Sequence, residues 1–377
     1  MAEGTRLEGI EVRRVRMPLV APFRTSFGTQ TAKDVILLRA VTADGEGWGE
    51  CVAGSDPLYA SEYVAVAMTT LREYFIPAVL GLGVADPALV VPALDRWKGY
   101  RMSKGALEMA VLDARLRATG QSFGQALGAV HDRVPAGVSV GIMDTLNELV
   151  ETVGGYLDEG YQRIKLKIEP GWDLEPVRLI RETFGPIQLQ VDANAAYTLG
   201  DANHLRKLDA FDLLLIEQPL GDENVLAHAK LARRLDTPIC LDESITSARA
   251  AADAIKLGAC GIVNIKAGRV GGYLEARRVH DVCVANDIPV WCGGMVETGL
   301  GRAANAALAA LPGMTLPGDV SASTRFYAED LTEPIEIEHG GIAVPTGPGL
   351  GVEPDLDRLE AVTVHTEWIT ANRSLAS

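Results

Sequence analysis

Between residues 136 and 320 the chain alternates short β-branched runs with amphipathic stretches of helical period, a pattern that leaves few architectures open. Strands regularly separated by helices imply parallel strands with crossover connections. The strand candidates are AGVSVGI (136–142), RIKLKI (163–168), IQLQVDAN (187–194), LLLIEQP (213–219), ICLDES (239–244), GIVNIKAG (261–268) and PVWCGG (289–294), with a shorter eighth in MTLPGDV (314–320). Helices between them include DLEPVRLIRETF (173–184) and GYLEARRVHDVCVAN (272–286), the latter placing Leu274, Val279, Val282 and Cys283 on one face. The expectation is an α/β chain whose catalytic domain, residues 131–325, is a β/α barrel.

Residues 1–130 read differently. The run ILLRAVTADGEGWGE suggests a hairpin around Ala43-Asp44-Gly45, and the stretch from Ser61 to Gly120 is largely helical, which predicts an α+β capping domain. The C-terminal segment, 326–377, holds another strand-like run, IEIEHGGIAVPTGPGLGV, outside the barrel rhythm, and is expected to return to the capping domain. A length of 377 residues suits one barrel and a smaller partner.

Charge excludes some partners. A net charge of −15 repels phosphate backbones and acidic lipid surfaces, so neither nucleic acid nor membrane is expected. A small acidic substrate stays compatible, because a bound metal and a few lysines reverse the potential locally. The start, MAEGTRLEGI, lacks a basic segment followed by an apolar run, and no apolar stretch approaches about 20 residues, so a cytoplasmic location is expected. The 5 cysteines, Cys51, Cys240, Cys260, Cys283 and Cys292, show no CxxC spacing and read as core residues in a reducing compartment. The 6 histidines form no HxH or HExxH pattern.

Five polar residues recur at the ends of consecutive strand candidates: Lys167, Asp192, Glu217, Asp242 and Lys266, separated by 25, 25, 25 and 24 residues. That interval matches one strand-helix unit, so each would stand at the C-terminal mouth of the barrel, where such folds place catalytic groups. Asp192, Glu217 and Asp242 each end an apolar run with a carboxylate. One such acid could cap a helix; three at the repeat call for a cation. Oxygen-only ligation selects a hard ion, and a small ligand count favours Mg²⁺, with Mn²⁺ as a substitute. The acids are expected at the rim rather than in the core, so that their removal would spare the fold. Lys165 and Lys167 are two apart and share a strand face. Like charge and partial burial would lower a lysine pKa towards roughly 7 to 8, where it serves as a base, although nearby carboxylates oppose that shift.

Together, KLK, VDAN, IEQPL, LDES, NIKAGRVGG and WCGGMVETGLGRAAN resemble the enolase superfamily, in its o-succinylbenzoate synthase and N-acylamino acid racemase branch. The resemblance implies a modified, TIM-like barrel of the enolase type. It also implies Mg²⁺ on Asp192, Glu217 and Asp242, and acid/base work by Lys167 and Lys266. Lys165 resembles the accessory lysine that contacts the substrate carboxylate, and Asn194 and Glu243 stand beside the ligands. The chemistry implied is abstraction of a proton α to a carboxylate. It would serve dehydration of 2-succinyl-6-hydroxy-2,4-cyclohexadiene-1-carboxylate to o-succinylbenzoate, as in menaquinone biosynthesis, racemisation of N-acylamino acids such as N-succinylamino acids, or both. A small-molecule carboxylate substrate and a homo-oligomer are expected partners. The loops 17–30 and 50–62, carrying Phe23, Phe27 and Tyr59, would form the substrate lid. Ser139, Gly294, Met295 and Val296 are further wall candidates by resemblance, and Arg269 would either tune Lys266 or pair with a helix.

Within the superfamily, muconate cycloisomerase is the nearest alternative. Acid dehydratases use a histidine where Lys266 stands, and dipeptide epimerases carry DxD where this chain has GDVSAS. A catalytically silent barrel serving as a binding module is disfavoured by the presence of both lysines and all three acids.

Overall fold

The computed structural model describes residues 5–371. Its capping sheet begins with β1 (Leu7–Thr25) and β2 (Gly28–Thr42), a long antiparallel hairpin whose register slips between Pro18 and Phe23. Such a bulge re-aims the strand end. It carries the hairpin tip over the barrel, where Ser26 Oγ donates to the Ala193 carbonyl at 3.0 Å. β2 turns through Ala43-Asp44 into β3 (Gly45–Cys51), with Thr42 opposite Gly45, as the sequence leads one to expect.

The helix Arg101–Thr119 lies on this sheet so closely that a Cβ on Gly49 would stand 2.0 Å from the Ala106 carbonyl. Its buried Glu108 accepts the backbone N–H groups of Tyr273 and Leu274 at 2.7 and 2.8 Å. A carboxylate at the first turn of helix Tyr273–Val284 thus pins the cap to the barrel.

After β4 (Arg133–Pro135) comes a parallel sheet of seven strands: β5 (Gly137–Val140), β6 (Arg163–Lys167), β7 (Gln188–Asp192), β8 (Ile216–Glu217), β9 (Ile239–Leu241), β10 (Ile262–Ile265) and β11 (Val290–Cys292). The eighth strand expected in 314–320 does not form. Pro317 lacks the N–H a ladder needs, and the segment instead joins the sheet's two edges by isolated contacts, with Thr315 N also donating to the Val290 carbonyl at 3.2 Å. Asp319 N donates to the Cys292 carbonyl at 2.8 Å on one side, and Gly137 N donates to the Gly318 carbonyl at 2.7 Å on the other. A Cβ on Gly318 would meet Cys292 O at 2.6 Å, so glycine permits this approach.

Helix Leu174–Phe184 buries Val177 and Ile180. Helix Tyr273–Val284 buries Val279 and Cys283 as expected, but its inner face is completed by Tyr273, Ala276 and His280, while Leu274 and Val282 are only half-buried. A separate apolar plug of Leu215, Cys240, Ile262 and Trp291 comes from β8 to β11 and the residues flanking them. The five cysteines are buried and unpaired.

The C-terminal segment does two things. β12 (Gly341–Ala343) pairs with β4 beside the barrel, and β13 (Thr363–Thr370) pairs antiparallel with β1 in the capping sheet. Among the described residues no helix is long and apolar enough to cross a membrane.

Candidate active site

Arg163, Lys165 and Lys167 alternate along β6 and therefore share a face, which is the inner one. The Arg163 guanidinium stacks 5.0 Å from the centre of the Trp291 ring and pairs with Asp319 at 2.8 Å. Lys165 Nζ lies 2.6 Å from Asp319, 3.1 Å from Glu217 and 3.4 Å from Asp192. Lys167 Nζ, at the strand end, donates to Asp192 Oδ2 at 2.6 Å and to Asn194 Oδ1 at 2.7 Å. Across the sheet, Lys266 follows β10 directly and donates to Asp242 Oδ2 at 2.6 Å. Asp192 ends β7, Glu217 ends β8 and Asp242 follows β9, so the three acids occupy the strands between the two lysines. All three are buried to 1% exposure or less, which corrects the expectation that they lie at a rim.

Electrostatics also reverse one expectation. Burial alone would lower Lys165, but Asp319, Glu217 and Asp192 outweigh it and hold the ammonium above its ordinary value. Lys266 is held high in the same way, with burial opposed chiefly by Asp242. The carboxylates overcome like charge because each sits within hydrogen-bond reach, whereas the ammonium groups do not touch one another. Among the acids, burial and then Asp192 push Glu217 up to about 7. Burial also acts on Asp192, yet Lys167 and Lys165 bring it down to about 2. Burial and Asp242 raise Glu243 to about 8.

The donor set suits a hard divalent cation. It is made of carboxylate oxygens, and Asp242 Oδ1 and Glu243 Oε2 are buried without a protein partner. Among the described residues the acids do not themselves converge as a three-ligand cage, because ammonium groups stand between them.

The remaining sequence candidates surround the same cleft. Phe23, Gly294 and Val296 line it together with Lys167 and Lys266, Ser139 lines its barrel side, and Met295 lines its cap side. Val296 has φ of 61°, a left-handed conformation rare for a β-branched residue, and Asn194 (φ 42°) and Gln218 (φ 36°) are also left-handed just past strand ends. Such geometry is costly, about 1–3 kcal/mol each, and concentrates where side chains must be aimed. Asn194 bridges Lys167 to Glu243, donating to Glu243 Oε1 at 2.9 Å. Arg269 does not pair with a helix carboxylate; it donates to the Glu243 carbonyl and lies 5.2 Å over the Tyr59 ring.

Several groups at the cleft were hidden in the sequence. Tyr59, which reads as one more loop aromatic, donates its hydroxyl to Asp242 Oδ2 at 3.1 Å and accepts from Lys266 Nζ at 3.1 Å. Asp319, Arg302 and Arg325 line the barrel side of the cleft, and Lys33 lines the cap side. Asp319 had a weak signal, an acid in the segment that closes the barrel. Arg302 sits on the helix Gly299–Ala309 and Arg325 ends the short 3-10 helix Ser323–Arg325, neither with strand rhythm.

Two family models match this chain. Residues 8–128 match the mandelate racemase / muconate lactonizing enzyme N-terminal domain, and residues 148–358 match the enolase C-terminal domain-like family. An N-succinylamino acid racemase of Amycolatopsis sp is 68% identical over 97% of this chain and 99% of its own. An o-succinylbenzoate synthase of Geobacillus kaustophilus is 44% identical over 95% of this chain and 96% of its own. The crystal structure of an enolase-superfamily member from Listeria innocua Clip11262 superimposes with a TM-score of 0.93 at 38% identity, covering 98% of this chain and 100% of that one.

Proposed function

The chain belongs to the enolase superfamily, and on that premise we propose that it removes the proton α to a carboxylate, acting on N-succinylamino acids as a racemase and on the succinyl cyclohexadiene acid as an o-succinylbenzoate synthase. The observation that carries this reading is the pair Lys167 and Lys266, which reach one cleft from β6 and β10 with three acid-bearing strands between them.

An α-carbon held between the two amines loses its proton to one Nζ and gains one from the other, which inverts the centre. Dehydration needs only one base. Lys167 serves as that base and then as the acid that releases hydroxide as water, while Lys266 steadies the enolate from the opposite side. Lys165, directed by Asp319, faces the substrate carboxylate. Enolase-superfamily enzymes generally use Mg²⁺, and here Asp192, Glu217 and Asp242 would hold it, supplying the positive charge that makes the dianionic enolate accessible. Asp242, if it held the ion, would be less available to Lys266, whereas Asp319 stays beside Lys165 at 2.6 Å and keeps it charged to face the substrate carboxylate. Tyr59 and Asn194 then keep the two amines aimed, and Phe23 with Phe27 excludes water from the cleft.

The test is a side-by-side assay with Mg²⁺: inversion of N-succinyl-L-phenylalanine followed by polarimetry, and formation of o-succinylbenzoate followed by absorbance. Both are expected. Inertness on both substrates together with turnover of cis,cis-muconate would replace this reading with the cycloisomerase one.

A further inference from the structure

Two of the three acids divide their oxygens between two kinds of donor. Asp192 Oδ1 accepts the Asn194 N–H at 3.0 Å, and its Oδ2 takes Lys167 at 2.6 Å. Glu217 repeats the division with a side chain in place of the backbone: Oε1 accepts Asn264 Nδ2 at 2.7 Å, and Oε2 takes Lys165 at 3.1 Å. A divalent cation acts differently on these ties. An ammonium group competes with the ion for the same oxygen and repels it, whereas a neutral amide on the other oxygen tolerates the ion and holds the carboxylate plane. The oxygens outside the amide ties already gather on a positive charge, since Glu217 Oε2 and Asp192 Oδ2 lie 3.1 and 3.4 Å from Lys165 Nζ. Lys165 can give up both, because Asp319 keeps it at 2.6 Å.

Asn264 is held rigidly for this contact. It lies buried in β10, two residues before Lys266, and so shares the inner face of the barrel with that lysine. The strand between carries Cys240 opposite Glu217, a small residue that the amide reaches past. From the other side Gly293 closes on it: a Cβ there would stand 2.2 Å from Asn264 Oδ1 and 2.6 Å from Nδ2, so bare backbone lies against the amide and fixes its plane. Asn264 Oδ1 is buried without a protein partner. An unmet buried carbonyl costs stability that an apolar side chain would not incur. Packing alone therefore does not account for asparagine at this position, whereas its N–H on Glu217 does.

We propose that Asn264 is a positioning residue for the metal: by tying up Glu217 Oε1 it makes Glu217 a one-oxygen ligand through Oε2. The inference rests on the Mg²⁺ assignment above and goes beyond it by naming the group that sets both the aim of the middle acid and the choice of ion. Mg²⁺ demands a compact, near-octahedral shell, while the larger Ca²⁺ accepts carboxylates through both oxygens. A Glu217 freed from Asn264 can turn both oxygens to an ion, which favours Ca²⁺ at the expense of Mg²⁺.

The experiment is calorimetric titration of metal-free wild type, Asn264→Leu and Asn264→Thr with Mg²⁺ and, separately, with Ca²⁺, the fold of each checked by near-UV circular dichroism. Asn264→Leu is expected to weaken Mg²⁺ binding by roughly 10- to 100-fold and Ca²⁺ binding by clearly less, so that the Mg²⁺/Ca²⁺ affinity ratio falls. Asn264→Thr keeps a hydroxyl donor on a shorter side chain, and its ratio should lie between the other two. Mg²⁺ affinity unchanged in Asn264→Leu, or both ions weakened alike, would mean that the asparagine only fills the barrel and would overturn the proposal. Should Asn264→Leu not fold, Asn264→Thr decides: a ratio below that of wild type supports the proposal, and an equal ratio refutes it. A wild type that binds neither ion would remove the metal assignment itself, and this proposal with it.

Discussion

Asp319 Oδ2 accepts a hydrogen bond from Lys165 Nζ at 2.6 Å, while its other oxygen takes Arg163 at 2.8 Å. The irregular segment that closes the barrel thus anchors two cations of β6. Asp319→Asn removes one buried charge facing two opposite ones. The variant is expected to lose about 3–5 kcal/mol of stability and to raise KM, because Lys165 is no longer aimed. Denaturant titration and steady-state kinetics measure the two effects, and unchanged stability would show that the Lys165 charge is satisfied by Glu217 and Asp192 alone.

The metal assignment predicts that Asp192→Asn, Glu217→Gln and Asp242→Asn each lose calorimetric Mg²⁺ binding. Because the three acids are buried against lysines, each change should also destabilise the metal-free chain. Wild type should melt at a higher temperature as Mg²⁺ is added, and the variants should not follow. Undiminished affinity in all three would sink the assignment.

The five residues at barrel spacing were legible because each breaks an apolar strand at the same point of a repeating unit; the structure brings Lys167 and Lys266 to one cleft and buries Asp192, Glu217 and Asp242 beneath it, against Lys165, Lys167 and Lys266. What escaped depends on contacts distant in sequence. Asp319 meets Lys165 across 154 residues, Tyr59 meets Asp242 across 183, and Arg325 meets Ser139 across 186. No local period encodes such pairings. The opposing carboxylates of β7 and β8 were foreseen, but their balance against like charge was misjudged, because Asp319, the strongest influence holding Lys165 charged, reaches it from the irregular segment 314–320.

Glu108 gives a pH dependence away from the reacting centre. Burial pushes its pKa up to about 7, and two backbone N–H groups only partly counter this. The folded chain therefore keeps this proton over a range where the unfolded chain has released it. The stabilisation that results is complete below about pH 4 and is lost as pH rises to about 7. Glu108→Gln cannot titrate. Measured by urea unfolding across that window, the wild type's stability relative to the variant should fall by about 3 kcal/mol; parallel profiles would show that Glu108 is ionised in the folded chain throughout.

The disposition of Lys167 and Lys266 on opposite sides of one substrate is tested most directly by α-proton exchange in D₂O, with Mg²⁺ and each enantiomer of an N-succinylamino acid. Lys266→Ala and Lys167→Ala should both lose racemisation, since return of the proton from the far side is gone. Any exchange that survives should be confined to one enantiomer in Lys266→Ala and to the other in Lys167→Ala. Exchange of the same enantiomer by both variants, or racemisation near the wild-type rate by either, would contradict the two-sided arrangement.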